Sequence, residues 1–124
     1  MQLERLPDMV NGNSALVWRG RFLSVDFLLG VGQDEYLIAV REGRIAGVKR
    51  GPFVMAPGRF AIRGSAEAWA KFWTKEPPPG FHDLFAMTKS GAARIDGDLH
   101  PLMANLRYVK EVIEAPRPKD TKGA

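Results

Sequence analysis

The stretch whose reading decides the fold is RFAIRGSAEAWAKFWTKEPPPGFHDLFAMTKSGAARIDGDLHPLMANLRYVKEVIE, residues 59–114. Phe60-Ala61-Ile62-Arg63 alternates as a short strand does. Ser65 then offers a side-chain oxygen to cap a helix, and Glu67 falls in its first turn, where the helix dipole favours a carboxylate. Trp69, Phe72 and Trp73 repeat on one face of that helix. Pro77-Pro78-Pro79 forbid its continuation and hold their predecessors extended. Beyond Gly80, a second short helix sets Phe81, Leu84 and Phe85 at the same spacing. Ala93-Arg94-Ile95-Asp96 reads as strand again. Gly97-Asp98 turns the chain into a long last helix with Leu99, Leu102, Met103, Leu106, Val109 and Ile113 on one side. Asp98 suits its N-cap, Pro101 falls in its first turn, where a missing N–H costs nothing, and the helix ends before Pro116.

Toward the N-terminus the period changes to two. Tyr36, Ile38 and Val40 share one face of a strand, residues 41–44 form a hairpin turn with Gly43 able to take positive φ, and 45–49 return. Val25, Phe27, Leu29 and Val31 alternate in the same way, within a β-rich segment that starts at residue 15 and includes Trp18 and Phe22. Short consecutive strands with tight turns predict an antiparallel meander, and helices in the second half make the class α+β. Leu3, Leu6 and Val10 stand at helical spacing, but Pro7 and the breakers Asn11-Gly12-Asn13 leave residues 1–14 a poorly defined N-terminus. Residues 1–114 are expected to form a single domain. Residues 115–124, rich in Pro and Lys without a large apolar side chain, are expected to be a disordered tail.

At 124 residues the chain is large enough to bury a core without staples. It has no cysteine, which excludes disulfides and thiolate zinc sites. The formal charge of +4 owes much to Arg117, Lys119 and Lys122 in the tail, and the other basic residues are scattered among acids. That distribution lacks the clustered stripe of a nucleic-acid binder, so no nucleic-acid partner is expected, while transient contact with an anionic membrane surface is compatible with it. No apolar run reaches the ~20 residues that span a bilayer, and residues 1–5 lack a signal-peptide layout, so the expected location is cytoplasmic.

The order of elements carries a resemblance. Tyr36-Leu37-Ile38-Ala39-Val40, the hairpin at Glu42-Gly43, Phe60-Ala61-Ile62-Arg63-Gly64-Ser65, Trp69-Ala70-Lys71-Phe72-Trp73, Ala93-Arg94-Ile95-Asp96-Gly97-Asp98 and the helix from Leu99 to Leu106 together resemble a bacterial member of the sterol carrier protein (sterol-transfer) family. The resemblance covers residues 36–114. It implies a mainly antiparallel five-stranded sheet covered on one face by helices. It also implies an apolar tunnel that binds a lipid, a sterol or another hydrophobic small molecule without catalysis. On this reading the tunnel is lined by Trp69, Phe72, Trp73, Phe81, Leu84, Phe85, Met87, Leu102, Met103 and Leu106. Only 14 residues precede the first strand, where the family has a substantial helix, so Trp18 and Phe22 risk exposure and a homodimer is expected.

The same residues admit a plainer reading. Aromatic stripes at helical spacing are core more often than binding site, which gives a ligand-free dimerisation or interaction module, or the accessory domain of a partner enzyme. Aromatics and methionines suit either role, being adaptable wall material. No catalytic constellation stands out. His82-Asp83 and Asp98/His100 lack metal-ligand spacing, Asp96-Gly97-Asp98 lacks the rest of a calcium loop, and no serine sits in a G-x-S-x-G elbow. Gly30-Val31-Gly32 has no helix after it and reads as turn chemistry. Neither an enzyme nor a cofactor is implied.

Overall fold

The computed structural model describes residues 2–54 and 58–118. Five strands, β1 (Val25–Val31), β2 (Asp34–Arg41), β3 (Arg44–Arg50), β4 (Phe60–Gly64) and β5 (Ala93–Gly97), form one sheet in the order β3-β2-β1-β4-β5. The helices are α1 (Leu6–Asn11), α2 (Ser14–Arg19), α3 (Ala66–Phe72), α4 (Leu84–Ser90), α5 (His100–Ala104) and α6 (Leu106–Glu114), with a 3-10 turn at Gln2–Arg5 before them. The class is α+β, but the sheet is mixed. β1–β2, β2–β3 and β4–β5 are antiparallel, whereas β1 and β4 run parallel. The meander stops at β3: that strand ends at Arg50, beside Tyr36, whereas β4 starts at Phe60, beside Phe27, and runs parallel to β1. Gly51 N–H donates to the Glu35 carbonyl and Arg59 N–H to the Asp26 carbonyl, each at 2.8 Å, which fastens the link at those two ends.

The hairpin lies where its period-two flanks put it. Glu42 (φ 49°) and Gly43 (φ 79°) both take positive φ, the requirement of a type I′ turn. A side chain at Gly43 would also collide with α2, its Cβ coming within 2.5 Å of the Val17 carbonyl oxygen. Register places Val25, Phe27 and Leu29 opposite Val40, Ile38 and Tyr36, and all six are buried beneath the helices. Phe60 joins them from β4, its ring stacked on Phe27 at 5.0 Å.

Three expectations need correction. Residues 14–19 are helix, not strand: Asn13 Oδ1 accepts the Leu16 N–H at 3.2 Å, a side-chain cap that outweighs the local β propensity of Leu16-Val17-Trp18. Within residues 1–14, Leu6–Asn11 form a helix rather than breaking at Pro7: the proline falls in the first turn of α1, where its missing N–H has no partner to lose, and Leu3, Leu6 and Val10 are fully buried. The long last helix is two helices. Asn105 (φ −129°) interrupts it, its side-chain N–H donating to the Pro101 carbonyl at 3.1 Å. Of the expected tail, Arg117 is held to the body by hydrogen bonds to the Phe72 and His82 carbonyls at 2.9 and 3.3 Å, and residues 119–124 lie outside the described residues.

Candidate functional site: the apolar interior under α3 and α4

Ser65 Oγ accepts the Ala68 N–H at 3.0 Å and starts α3, as the sequence predicts. From there Trp69 and Phe72 turn fully inward and Trp73 is half-buried behind them. The three rings form one cluster, Trp69 stacked on Trp73 at 5.1 Å and edge-on to Phe72 at 5.2 Å. Both indoles are anchored. Trp69 Nε1 donates to the Gly30 carbonyl and Trp73 Nε1 to the Ile113 carbonyl, each at 2.8 Å, so α3 is tied to β1 and α6. Gly64 is part of the same fit, since a Cβ there would lie 2.9 Å from Trp69 Nε1.

Asp83 caps α4 by accepting the Phe85 N–H at 3.0 Å and pairs with Lys110 of α6. Burial raises the affinity of its carboxyl for a proton, but the Lys110 hydrogen bond and charge, with backbone N–H groups of Phe85 and Ala86, outweigh it and hold the pKa below the usual value. Leu84 and Met87 of α4 and Leu102 of α5 are buried in the same cluster as Trp69 and Phe72. Phe81 and Leu106 are partly buried against it, and Phe85 is half-buried with Lys110 Nζ 5.7 Å from its ring centre. Met103 is the exception. It is 55% exposed, one position after the buried Leu102 in the short helix α5, which ends at Asn105.

No polar or charged residue is buried among the described residues, so this interior offers apolar contact and little else. One buried side-chain polar atom has no hydrogen-bond partner among the described residues: Tyr36 Oη, on β2, with Arg50, Asp34 and Glu4 as its charged neighbours. Nothing in the sequence pattern distinguishes that hydroxyl from a satisfied one. Open clefts lie elsewhere. One of about 260 Å³ is lined by residues including Met9, Leu16, Glu111 and Glu114, and one of about 420 Å³ by residues including Arg59, Ala61, Arg63, Arg94 and Asp96. In the second, Arg59, Arg63 and Arg94 are paired with Asp98, Glu35 and Asp96, so its charges are neutralised in place. The two carboxylates of Asp96-Gly97-Asp98 are thus occupied by arginines. Among the described residues no group of three or more His, Cys, Asp or Glu side chains could hold a metal, and no helix is long and apolar enough to cross a membrane.

The five strands in the order β3-β2-β1-β4-β5, with α3 to α6 closing an apolar interior against them, define an architecture that recurs among solved structures. Comparison with solved structures gives that architecture its name: this is the sterol carrier protein 2 fold. The chain superposes on a crystal structure of sterol carrier protein 2 with a TM-score of 0.72 at 14% identity, covering 90% of each chain. A Thermus thermophilus protein described as a possible sterol carrier protein gives 0.66 at 13% identity over 90% of this chain and 82% of that one. The UbiJ-SCP2 ubiquinone synthesis protein gives 0.58 at 16% identity over 92% and 87%. No family profile and no curated protein sequence matches the chain.

Proposed function

We propose that the chain is a noncatalytic, cytoplasmic carrier for a lipid, a sterol or another long hydrophobic molecule, held between the sheet and the helices of residues 65–114. The observation that supports the reading is one apolar cluster in which Trp69, Phe72, Leu84, Met87 and Leu102 are buried and Trp73, Phe81 and Leu106 pack against them, with no buried charge among the described residues; on this reading the half-buried Phe85 completes the wall. Burial of an acyl chain or ring system there gains ~0.8 kcal/mol per methylene without demanding a particular set of hydrogen bonds. Access requires one wall to move, and the gate is the jointed stretch 74–80 together with α4. Gly80 sits there at φ 89° with no atom within 4 Å of where a side chain would begin.

The test uses the natural indoles. Trp69 and Trp73 report on the interior once Trp18, the remaining tryptophan, is replaced by Phe. A fluorescent fatty-acyl probe should quench or accept their emission saturably, at one probe per chain, and organic extraction of freshly purified protein should release an apolar molecule. A protein that carries nothing and binds neither acyl nor sterol probes would exclude the carrier. The likeness to a ubiquinone synthesis protein favours one second reading, an accessory domain that presents an apolar substrate to a partner enzyme. Co-purification with an enzyme, and ligand release only in its presence, separates the two.

A further inference from the structure

The sheet has two edges, β3 and β5, and they are finished differently. On β3 the outward N–H and C=O of Ile45 are both taken by the Asn11 side-chain amide, at 2.8 and 3.1 Å. The edge of β5 has no comparable cover among the described residues. Its ladder with β4 decides which groups are free. Asp98 N–H donates to the Arg59 carbonyl at 2.8 Å, and Ala61↔Asp96 and Arg63↔Arg94 continue that register. Asp96 and Arg94 therefore turn their backbone groups toward β4, and Ala93, Ile95 and Gly97 turn theirs away from it.

We propose that this edge pairs with β5 of a second copy of the chain, antiparallel and centred on Ile95. About that two-fold axis Ile95 exchanges hydrogen bonds with its own copy, and Ala93 lies opposite Gly97, which has no side chain to obstruct the approach. Arg94 lies opposite Asp96 of the second copy, twice over. These two side chains stand on the sheet face away from the helices, exposed and 2.9 Å apart within the strand, so each guanidinium can gain a second carboxylate across the seam. The charge pattern also selects the register. A slip by two residues sets Arg94 against Arg94 or Asp96 against Asp96, and parallel in-register pairing sets like against like throughout. A charged edge would repel most strands. This one is complementary to itself. On the covered face the two half-buried Ile95 side chains meet and add apolar contact.

β5 has five residues, so the contact is small and the association weak, below the ~1,200 Å² of a stable complex. Neither ligand nor membrane enters it, so a monomeric protein would leave the carrier reading intact. The test is sedimentation velocity of the full chain over a concentration series, with circular dichroism to confirm that each variant is folded. Wild type should show a monomer–dimer equilibrium. R94D sets Asp opposite Asp and D96R sets Arg opposite Arg, and each should weaken the dimer by at least ~10-fold. The double variant R94D/D96R restores opposite charges across the seam and should recover wild-type affinity. A monomeric wild type, single variants that dimerise unchanged, or a double variant that fails to recover would each overturn the proposal. So would dissociation by W18S/F22S but not by the charge reversals.

Discussion

Removing the hydroxyl of Tyr36 should stabilise this protein, and removing that of Tyr108 should destabilise it, although both side chains are buried tyrosines at 0 and 2% exposure. Tyr36 Oη has no partner among the described residues, so its desolvation is uncompensated. The cost of such a group is ~1–3 kcal/mol. Arg50, with its guanidinium 5.9 Å from the Tyr36 ring centre, lies close by as a polar neighbour, which sets the expected gain for Tyr36→Phe at the low end, about 1 kcal/mol. Tyr108 is the opposite case. Its hydroxyl donates to the Gly43 carbonyl at 2.7 Å and ties α6 to the β2–β3 turn, while its ring lies against Gly20, where a Cβ would come within 2.3 Å. Tyr108→Phe strands that carbonyl and should cost ~1–3 kcal/mol. Burial also pushes the Tyr108 pKa from its ordinary 10.0 up to about 12. Because the folded value is the higher one, the contribution is complete below pH 10 and is lost as pH rises through about 12, a loss that Tyr108→Phe should lack. Urea denaturation of both variants at neutral pH, read as midpoint shifts at constant slope, checks the two signs. A destabilised Tyr36→Phe would mean that the hydroxyl is satisfied, and a neutral Tyr108→Phe that the turn is held by packing alone.

Two further outcomes follow from the surface. Asp83→Asn keeps a residue able to cap α4 but loses the charge pair with Lys110; since the folded pKa of Asp83 lies below its ordinary 3.8, the stability difference from wild type should be full above that pH and vanish as the pH falls through the folded value. Thermal melts in a pH series would show it, and a difference that persists undiminished at the acid end would contradict it. Trp18 and Phe22 are 65 and 87% exposed, with the Arg21 guanidinium over both rings at 3.5 and 4.5 Å, an aromatic–cationic pair suited to an anionic lipid interface. The protein should sediment with phosphatidylserine vesicles at low salt and less with neutral ones, and W18S/F22S should abolish the difference; unchanged sedimentation would refute it.

What was legible in the sequence is what local chemistry determines. Tyr36, Ile38 and Val40 alternate around a Gly43 turn, and Ser65 precedes a helix with Trp69 and Phe72 inward; each rests on a few adjacent residues, and each stands in the structure. Asp98 still accepts the His100 N–H at 3.1 Å although the helix boundary shifts by a residue. The parallel pairing of β1 with β4 depends on where residues 51–59 deliver the chain, and no local pattern encodes that. Trp18 misleads for a related reason. Its β propensity is real, but the Asn13 cap and the burial of Leu16 select helix. Met103 has the spacing of an inward residue and is exposed; the spacing is continuous through Asn105 and the helix is not.

The walls of the interior are not equally fixed, and this bears on how a packed core could serve a carrier. α3 is anchored by two indole hydrogen bonds, to β1 and to α6, and displacing it would strand both donors and both carbonyls. α4 is held differently. Its attachments to the body include the Asp83–Lys110 pair at its start and the burial of Leu84 and Met87, and it ends at the left-handed Gly91 at φ 86°. Exposing two such side chains costs ~3–6 kcal/mol, whereas ten buried methylenes of a ligand return ~8 kcal/mol before the costs of immobilising it. The exchange is near balance for α4 and unfavourable for α3. A ligand of this length would therefore enter by replacing Leu84 and Met87 against the sheet, leaving Trp69 and Phe72 as the fixed wall on which it packs.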